Sequence, residues 1–235
     1  MQPLATPAID HLVIAAATLD EGVAWCEDTL GLAPGPGGAH PLMGTHNRLL
    51  SLGGSRYPDC YLEIIAIDPR VRPRREPGQR RWFDLDDAGL QAMLARQGPR
   101  LIHAVARVSD VRVGIRALAG LPAPIDRGTV IDASRDTPEG RLQWRISVRD
   151  DGQRLFDGAL PTLIEWGAIH PAARLPRSPL ELLAVHAAHP RHADLREAMA
   201  AIGLQHVLPV DDGPADLMAT LRTPRGLITL HAGEA

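Results

Sequence analysis

A histidine interrupts the apolar run at residues 9–16 (IDHLVIAA), and a glutamate interrupts another at residues 61–67 (YLEIIAI). Both runs read as short buried strands, along which successive side chains point to opposite faces. Leu12 and Ile14 then share one face of the first strand, and His11 and Val13 the other. In the second, Leu62, Ile64 and Ala66 share one face while Glu63 lies opposite with Tyr61 and Ile65. The pattern returns downstream: His103 stands in LIHAVARV (101–108) and Glu165 in LPTLIEWG (160–167). The His-to-Glu separations, 63 − 11 = 52 and 165 − 103 = 62, are similar. A carboxylate in an apolar run is costly unless it is paired or bound to a metal. Glu63 and Glu165 are therefore expected to be paired or to bind a metal, each with a histidine on the same inward face.

These residues sit in a repeated arrangement. The strand at 9–16 leads into TLDEGVAWCEDTLGL, where Thr18 followed by Glu21 makes a capping-box pattern and Gly31 marks the helix stop. A Gly/Pro-rich loop (GLAPGPGGAHPLMG) follows, with room for one more strand, and then strand candidates at THNRLLSL and YLEIIAI. The same order starts again at LIHAVARV and a third time at LELLAVHAAHP, and each helix ends in Gly-Leu, at 31–32, 120–121 and 203–204. The expected fold is α+β, built from paired βαβββ modules, with a third unit of βαββ type that is incomplete. The boundaries read as a first module at 1–69, an Arg/Pro-rich linker with a short helix at 70–99, a second module at 100–175, and a degenerate third module at 176–235 packing on the same sheet.

Composition narrows the chemistry. All 25 basic residues are arginine, so lysine-based Schiff bases, a pyridoxal-phosphate anchor and a phosphate-loop lysine are excluded. GPGGAH follows a helix and not a strand, which argues against a dinucleotide fingerprint, and no G-x-S-x-G elbow occurs. Cys26 and Cys60 form no disulfide framework, and the N-terminal MQPLATPAID has no signal-peptide pattern, so a reducing cytoplasm is the expected location. The net charge of −3 argues against nucleic acid as main partner, and the arginine run at 70–81 reads as a solvated linker. No stretch is long enough to span a bilayer. Trp144 and Trp166 read as core, and Pro190 breaks the ligand spacing of the histidine-rich HAAHPRH segment (186–192).

The combination of DHLVIA, PGGAHPLMGTHN, YLEIIA and LIEWGAIHP resembles glyoxalase-like domain proteins of the vicinal oxygen chelate superfamily, over nearly the whole chain. That resemblance implies edge-to-edge module pairs around a cavity and, by position, a divalent-metal site formed by His11, Glu63, His103 and Glu165. Zinc, nickel, cobalt, manganese or ferrous iron would suit two imidazoles and two carboxylates. It implies a metal-dependent isomerase or lyase acting on a small oxygen-rich substrate, with Glu165 or Glu63 as base. His46 and Asn47 in GTHN are expected to bind substrate or support the ligands. The rivals are an Fe(II) ring-cleaving dioxygenase and a metal-free small-molecule binding protein. Module pairing within or between chains leaves a homodimer open.

Overall fold

Strand alternation and local caps build the first unit. In the computed structural model, which describes residues 6–137 and 140–233, β1 (Ala8–Ala15) runs into α1 (Leu19–Trp25), and Thr18 Oγ1 accepts the Glu21 N–H at 3.2 Å. The helix continues as one wide turn over Cys26–Leu30 and stops at Gly31, whose φ of 78° suits a residue without a side chain. β2 (Ala39–His40), β3 (Thr45–Ser51) and β4 (Tyr61–Ile67) complete the unit, the two-residue β2 lying in the long Gly/Pro loop. The first five residues, MQPLA, lie outside the described ones.

After α2 (Ala88–Gln97), the second unit repeats this order with β5 (Arg100–Arg107), α3 (Val111–Ala119), β6 (Thr129–Thr137), β7 (Gly140–Val148) and β8 (Thr162–Trp166). In each unit the first strand pairs in parallel with the last, β1 with β4 and β5 with β8. The units join through antiparallel β1 and β5, giving one eight-stranded sheet in the order β2-β3-β4-β1-β5-β8-β7-β6. This is the α+β fold of repeated βαβββ modules, with a mixed sheet that curls into a half-barrel.

The third unit is β9 (Glu181–Ala188), α4 (His192–Ala201), β10 (Val210–Asp211), β11 (Asp216–Thr223) and β12 (Gly226–His231). It forms a sheet of its own, β10-β9-β11-β12, in which β9 is internal and pairs antiparallel with β11. The parallel first-to-last pairing of the other two units is thus not repeated. Its apolar residues, among them Leu182, Val185 and Leu217, share one continuous core with the helix-side residues Leu12, Ile64 and Leu163 of the large sheet.

The opposite, concave face has a second core. Val13, Ile65, Val105, Ile146 and Ile164 point inward, and Trp82, Phe83, Leu85, Leu90 and Leu94 cover them. The segment between the modules is therefore more than a solvated charge run: Arg70, Arg72, Arg74 and Arg80 are exposed, but Arg75 and Arg81 are largely buried and Trp82, Phe83 and Leu85 pack over the concave face, burying apolar area worth about 1.5–3 kcal/mol per large side chain.

Candidate functional site

Two of the inward-facing strands bring His11 and Glu63 together. Register pairs His11 with Tyr61 and Val13 with Glu63, and His11 Nε2 lies 3.5 Å from Glu63 Oε2. The phase of β4 is fixed from behind, where Ile64 packs so closely on α1 that a Cβ on Gly22 would stand 2.4 Å from its Cγ2. Tyr61 stacks on the His11 ring, with centroids 4.7 Å apart.

Asp10 joins them by an irregularity. Ile9 pairs with Ala106 and His11 with Val105, so Asp10 is an extra residue, a bulge, in the β1–β5 ladder. Its carboxylate accepts from His11 Nδ1 at 2.7 Å, from Trp166 Nε1 at 2.9 Å and from His170 Nε2 at 2.9 Å. Simple alternation would have sent this acid to the helix side. The bulge turns it to the concave side instead, behind the cavity-lining His11 and Trp166, where three donors compensate a carboxylate that is only 1% exposed.

Glu63 is held from the other side by Asn47, whose Nδ2 donates to Glu63 Oε1 at 2.6 Å. Asn47 Oδ1 accepts the Gly38 N–H at 2.7 Å, and its amide also reaches His40 Nε2 at 3.4 Å. His40 Nδ1 lies 3.1 Å from Thr45 Oγ1. A Cβ on Gly37 would stand 2.1 Å from the Asn47 carbonyl oxygen, so this glycine is what lets the loop lie against β3.

These contacts set the charge states. Burial opposes a charge on His11, but its hydrogen bonds and Coulomb attraction to Asp10 and Glu63 prevail and raise its pKa to about 9. Burial likewise opposes ionisation of Glu63 and Asp10, yet His11 and the Asn47 amide hold Glu63 below its ordinary range, and His11 and His170 hold Asp10 down. His40 goes the other way: burial, aided by the positive charge of Arg135 and the other histidines, outweighs the pull of Glu63 and lowers its pKa to about 4. At neutral pH the cluster is thus a carboxylate, an imidazolium and a second carboxylate, with a neutral imidazole beside them. His11, His40, Asn47, Tyr61 and Glu63 line a small cavity of about 40 Å³ walled by Trp82, Trp144 and Trp166. Trp144 and Trp166 are walls of this cavity as well as core.

Of the residues singled out from sequence, His11, Glu63 and Asn47 are brought together. His103 points inward but lies beneath Phe83, with ring centroids 5.3 Å apart, and is fully buried. Its Nδ1 donates to Gly158 O at 2.8 Å, and its Nε2 accepts from Thr162, whose N is at 3.1 Å and Oγ1 at 2.9 Å. Burial, with the nearby Arg127 and Arg154, pushes its pKa well below the ordinary value. His103 is a neutral, doubly bonded strut between β5 and β8.

Glu165 faces away from the cavity. In β8 it is Thr162, Ile164 and Trp166 that point inward, because Leu163 packs against α3 where Gly114 leaves room, a Cβ there standing 2.5 Å from Leu163 Cδ1. Glu165 then pairs with Arg145 at 2.7 Å and accepts the Val111 N–H at 3.3 Å, at the start of α3. His46 is also on the outer face, 3.8 Å from Asp68. In the HAAHPRH segment each histidine faces a separate aspartate: His186 with Asp211, His189 with Asp157 and His192 with Asp212.

The four donors expected to hold a metal therefore do not converge. Among the described residues no group of three or more His, Cys, Asp or Glu side chains is placed to share an ion. His11 and Glu63 remain as a pair, but His103 has both nitrogens engaged and Glu165 is turned outward. Asp10 and His40 belong to the cluster without standing out in the sequence. The clue to Asp10 was its position beside His11, and the clue to His40 was a histidine inside a glycine-rich loop that had room for a strand.

The family model of the glyoxalase-like domain matches residues 9–203. Among solved structures, the crystal structure of a hypothetical protein from Staphylococcus aureus aligns with a TM-score of 0.58 at 12% identity, covering 97% of this chain and 85% of that one, a likeness of fold. Methylmalonyl-CoA epimerase from Mycobacterium tuberculosis aligns with a TM-score of 0.37 at 20% identity, over 71% of this chain and 91% of that one. A Streptomyces coelicolor methylmalonyl-CoA epimerase variant in complex with 2-nitronate-propionyl-CoA gives a TM-score of 0.40 at 20% identity, over 70% and 100%. No curated protein sequence matches the chain.

Proposed function

The chain belongs to the glyoxalase-like domain family of the vicinal oxygen chelate superfamily, and on that premise we propose that it is an isomerase or lyase that moves a proton on a small, oxygen-rich substrate. The observation that supports this most is Glu63 at the cavity wall, its Oε2 3.5 Å from His11 Nε2 and its Oε1 held by Asn47 Nδ2 at 2.6 Å. Proteins of this superfamily often use divalent metals. Among the described residues the donors do not converge on a site for such an ion.

Glu63 is the base. It takes the proton from a carbon next to a carbonyl, and the C–H electron pair moves into the carbonyl, leaving charge on its oxygen. His11 Nε2–H donates to that oxygen, while Asp10 on Nδ1 keeps the ring oriented and charged. Where the deprotonated carbon carries a hydroxyl, His11 protonates the oxyanion and takes up the hydroxyl proton while Glu63 returns its proton to the former carbonyl carbon, giving the isomeric carbonyl compound; where a leaving group stands on the carbon beyond, the electron pair expels it, giving a lyase. Asn47 holds the carboxylate in place through Oε1 and leaves Oε2 toward His11. The indole walls exclude water, which strengthens these interactions.

The test is proton exchange. Incubated in D₂O with a panel of 2-oxo and 2-hydroxy acids, the wild-type chain should catalyse loss of the C–H signal beside the carbonyl of at least one compound, and Glu63→Gln should abolish it. The three indoles favour a second reading, binding of a small molecule without turnover. Saturable tryptophan quenching with no exchange across the panel would select that reading over the enzyme.

A further inference from the structure

One cation near the cavity has no assigned work. Arg135 on β6 lines both the small inner cavity and an adjoining groove of about 680 Å³. It is half-buried, and among the described residues its guanidinium has no hydrogen-bond or carboxylate partner. Other partly buried arginines have acceptors: Arg154 is matched by Asp84, Arg149 by Asp151, and the buried Arg127 by Pro161 O and Thr162 Oγ1. An arginine left half-desolvated without an anion forgoes the bidentate pairing that its planar fork is shaped for.

The loop beside it is shaped to keep it there. A Cβ built on Gly38 would stand 1.9 Å from Arg135 Nη1 and 2.5 Å from its Cζ. The guanidinium therefore lies against bare backbone. Gly38 also donates its N–H to Asn47 Oδ1, so one residue joins the arginine seat to the amide that positions Glu63. The glycine pair in GPGGAH thus has a use: Gly37 admits Asn47 and Gly38 admits Arg135. The adjoining groove is mostly apolar, with Leu49, Leu142, Pro171 and Leu175 among its walls.

We propose that Arg135, seated on Gly38, binds the carboxylate of the substrate, and that the substrate is an organic acid whose apolar substituent lies in the adjoining groove. The carboxylate sits at the threshold between the two compartments, so the reacting carbon, within a few bonds of it, reaches Glu63 and His11 in the inner one. This assignment rests on the proton-transfer reading for what happens to the acid, but not for its binding.

The probe is 4-phenyl-2-oxobutanoate, compared with its neutral amide, with binding followed by quenching of Trp82, Trp144 and Trp166. The acid should bind wild type more tightly than the amide, and Arg135→Gln should weaken the acid by about tenfold or more, the loss of one charge-assisted pair, while leaving the amide unchanged. Gly38→Ala, which keeps the charge but displaces the guanidinium, should weaken the acid in the same direction. Equal binding of acid and amide to wild type, an unchanged affinity in Arg135→Gln, or no binding of the acid would overturn the proposal. Deuterium uptake at C3 is read in parallel. Acid binding through Arg135 without uptake removes the catalytic reading and keeps the carboxylate seat, whereas uptake with no preference for the acid removes the seat alone.

Discussion

The raised pKa of His11 makes the stability of the fold depend on pH in a direction that can be calculated. The ring titrates at about 9 in the folded chain against an ordinary value of 6.5, so the folded state retains a proton that the unfolded state has given up. Such a group stabilises the fold fully below pH 6.5 and loses that contribution as pH rises through 9. Treated as a single site, the contribution at pH 7 exceeds that at pH 9 by about 2 kcal/mol. Chemical denaturation at the two pH values measures the difference. The buried thiols Cys26, pushed up to about 12, and Cys60, also raised, destabilise the fold as the unfolded thiols ionise near pH 9, so a reference is needed. Asp10→Asn supplies it: the thiol contribution stays, but one of the two carboxylates that hold the His11 proton is gone, and the loss between pH 7 and 9 should shrink by at least half. A wild-type stability that is flat across this window, or a loss that Asp10→Asn retains in full, would refute the assigned charge states.

On the acid side the sign reverses, because His40, lowered to about 4, and His103, held well below its ordinary value, stay neutral in the fold while the unfolded chain takes up protons below pH 6.5. Stability should therefore also fall from pH 6.5 to 5, and a denaturation series should find its maximum close to neutrality. Asn47→Ala removes the 2.6 Å donor to a buried carboxylate and should cost about 1.5–3 kcal/mol by the same assay while raising the pKa of Glu63. Gly37→Ala places a Cβ against the Asn47 backbone, which cannot move as a flexible side chain can, and should lower the melting temperature and the exchange rate together. Glu165→Gln breaks a half-exposed ion pair with Arg145 and should lower stability by about 1 kcal/mol or less.

Much of this geometry follows from strand alternation, and the exceptions have local causes. Alternation places Glu63 opposite Leu62 and Ile64, and the tight packing of Ile64 on Gly22 enforces that phase. For β8 the sequence allows either phase, since LIEW can present Glu165 or Ile164 with Trp166 to the cavity. The choice is made by a contact distant in sequence, Leu163 in the space left by Gly114, and it turns Glu165 outward onto Arg145. His46 and Asn47 are neighbours on β3 and so must face opposite ways, with Asn47 reaching Glu63 and His46 lying near Asp68.

Asp10 is hidden from pattern reading because a bulge breaks the alternation at that residue, and a bulge leaves no periodic trace. His40 is hidden because its strand has only two residues, too short for any periodicity, and is held by pairing with Thr45. The third unit keeps the strand and helix order of the first two, but order alone does not fix which strands pair. There β9 is enclosed by β10 and β11, and the unit packs its apolar face behind the large sheet.

In the proposed mechanism the chemistry belongs to the carboxylate of the first module and not to its positional counterpart in the second. It is tested most directly by following C–H exchange in D₂O, on the best acid of the panel, with Glu63→Gln and Glu165→Gln side by side. Glu63→Gln should lose exchange by at least about a hundredfold, as expected for removal of a general base, while Glu165→Gln should stay within about twofold of wild type. Loss of exchange in Glu165→Gln with a folded chain, or its survival in Glu63→Gln, would contradict it.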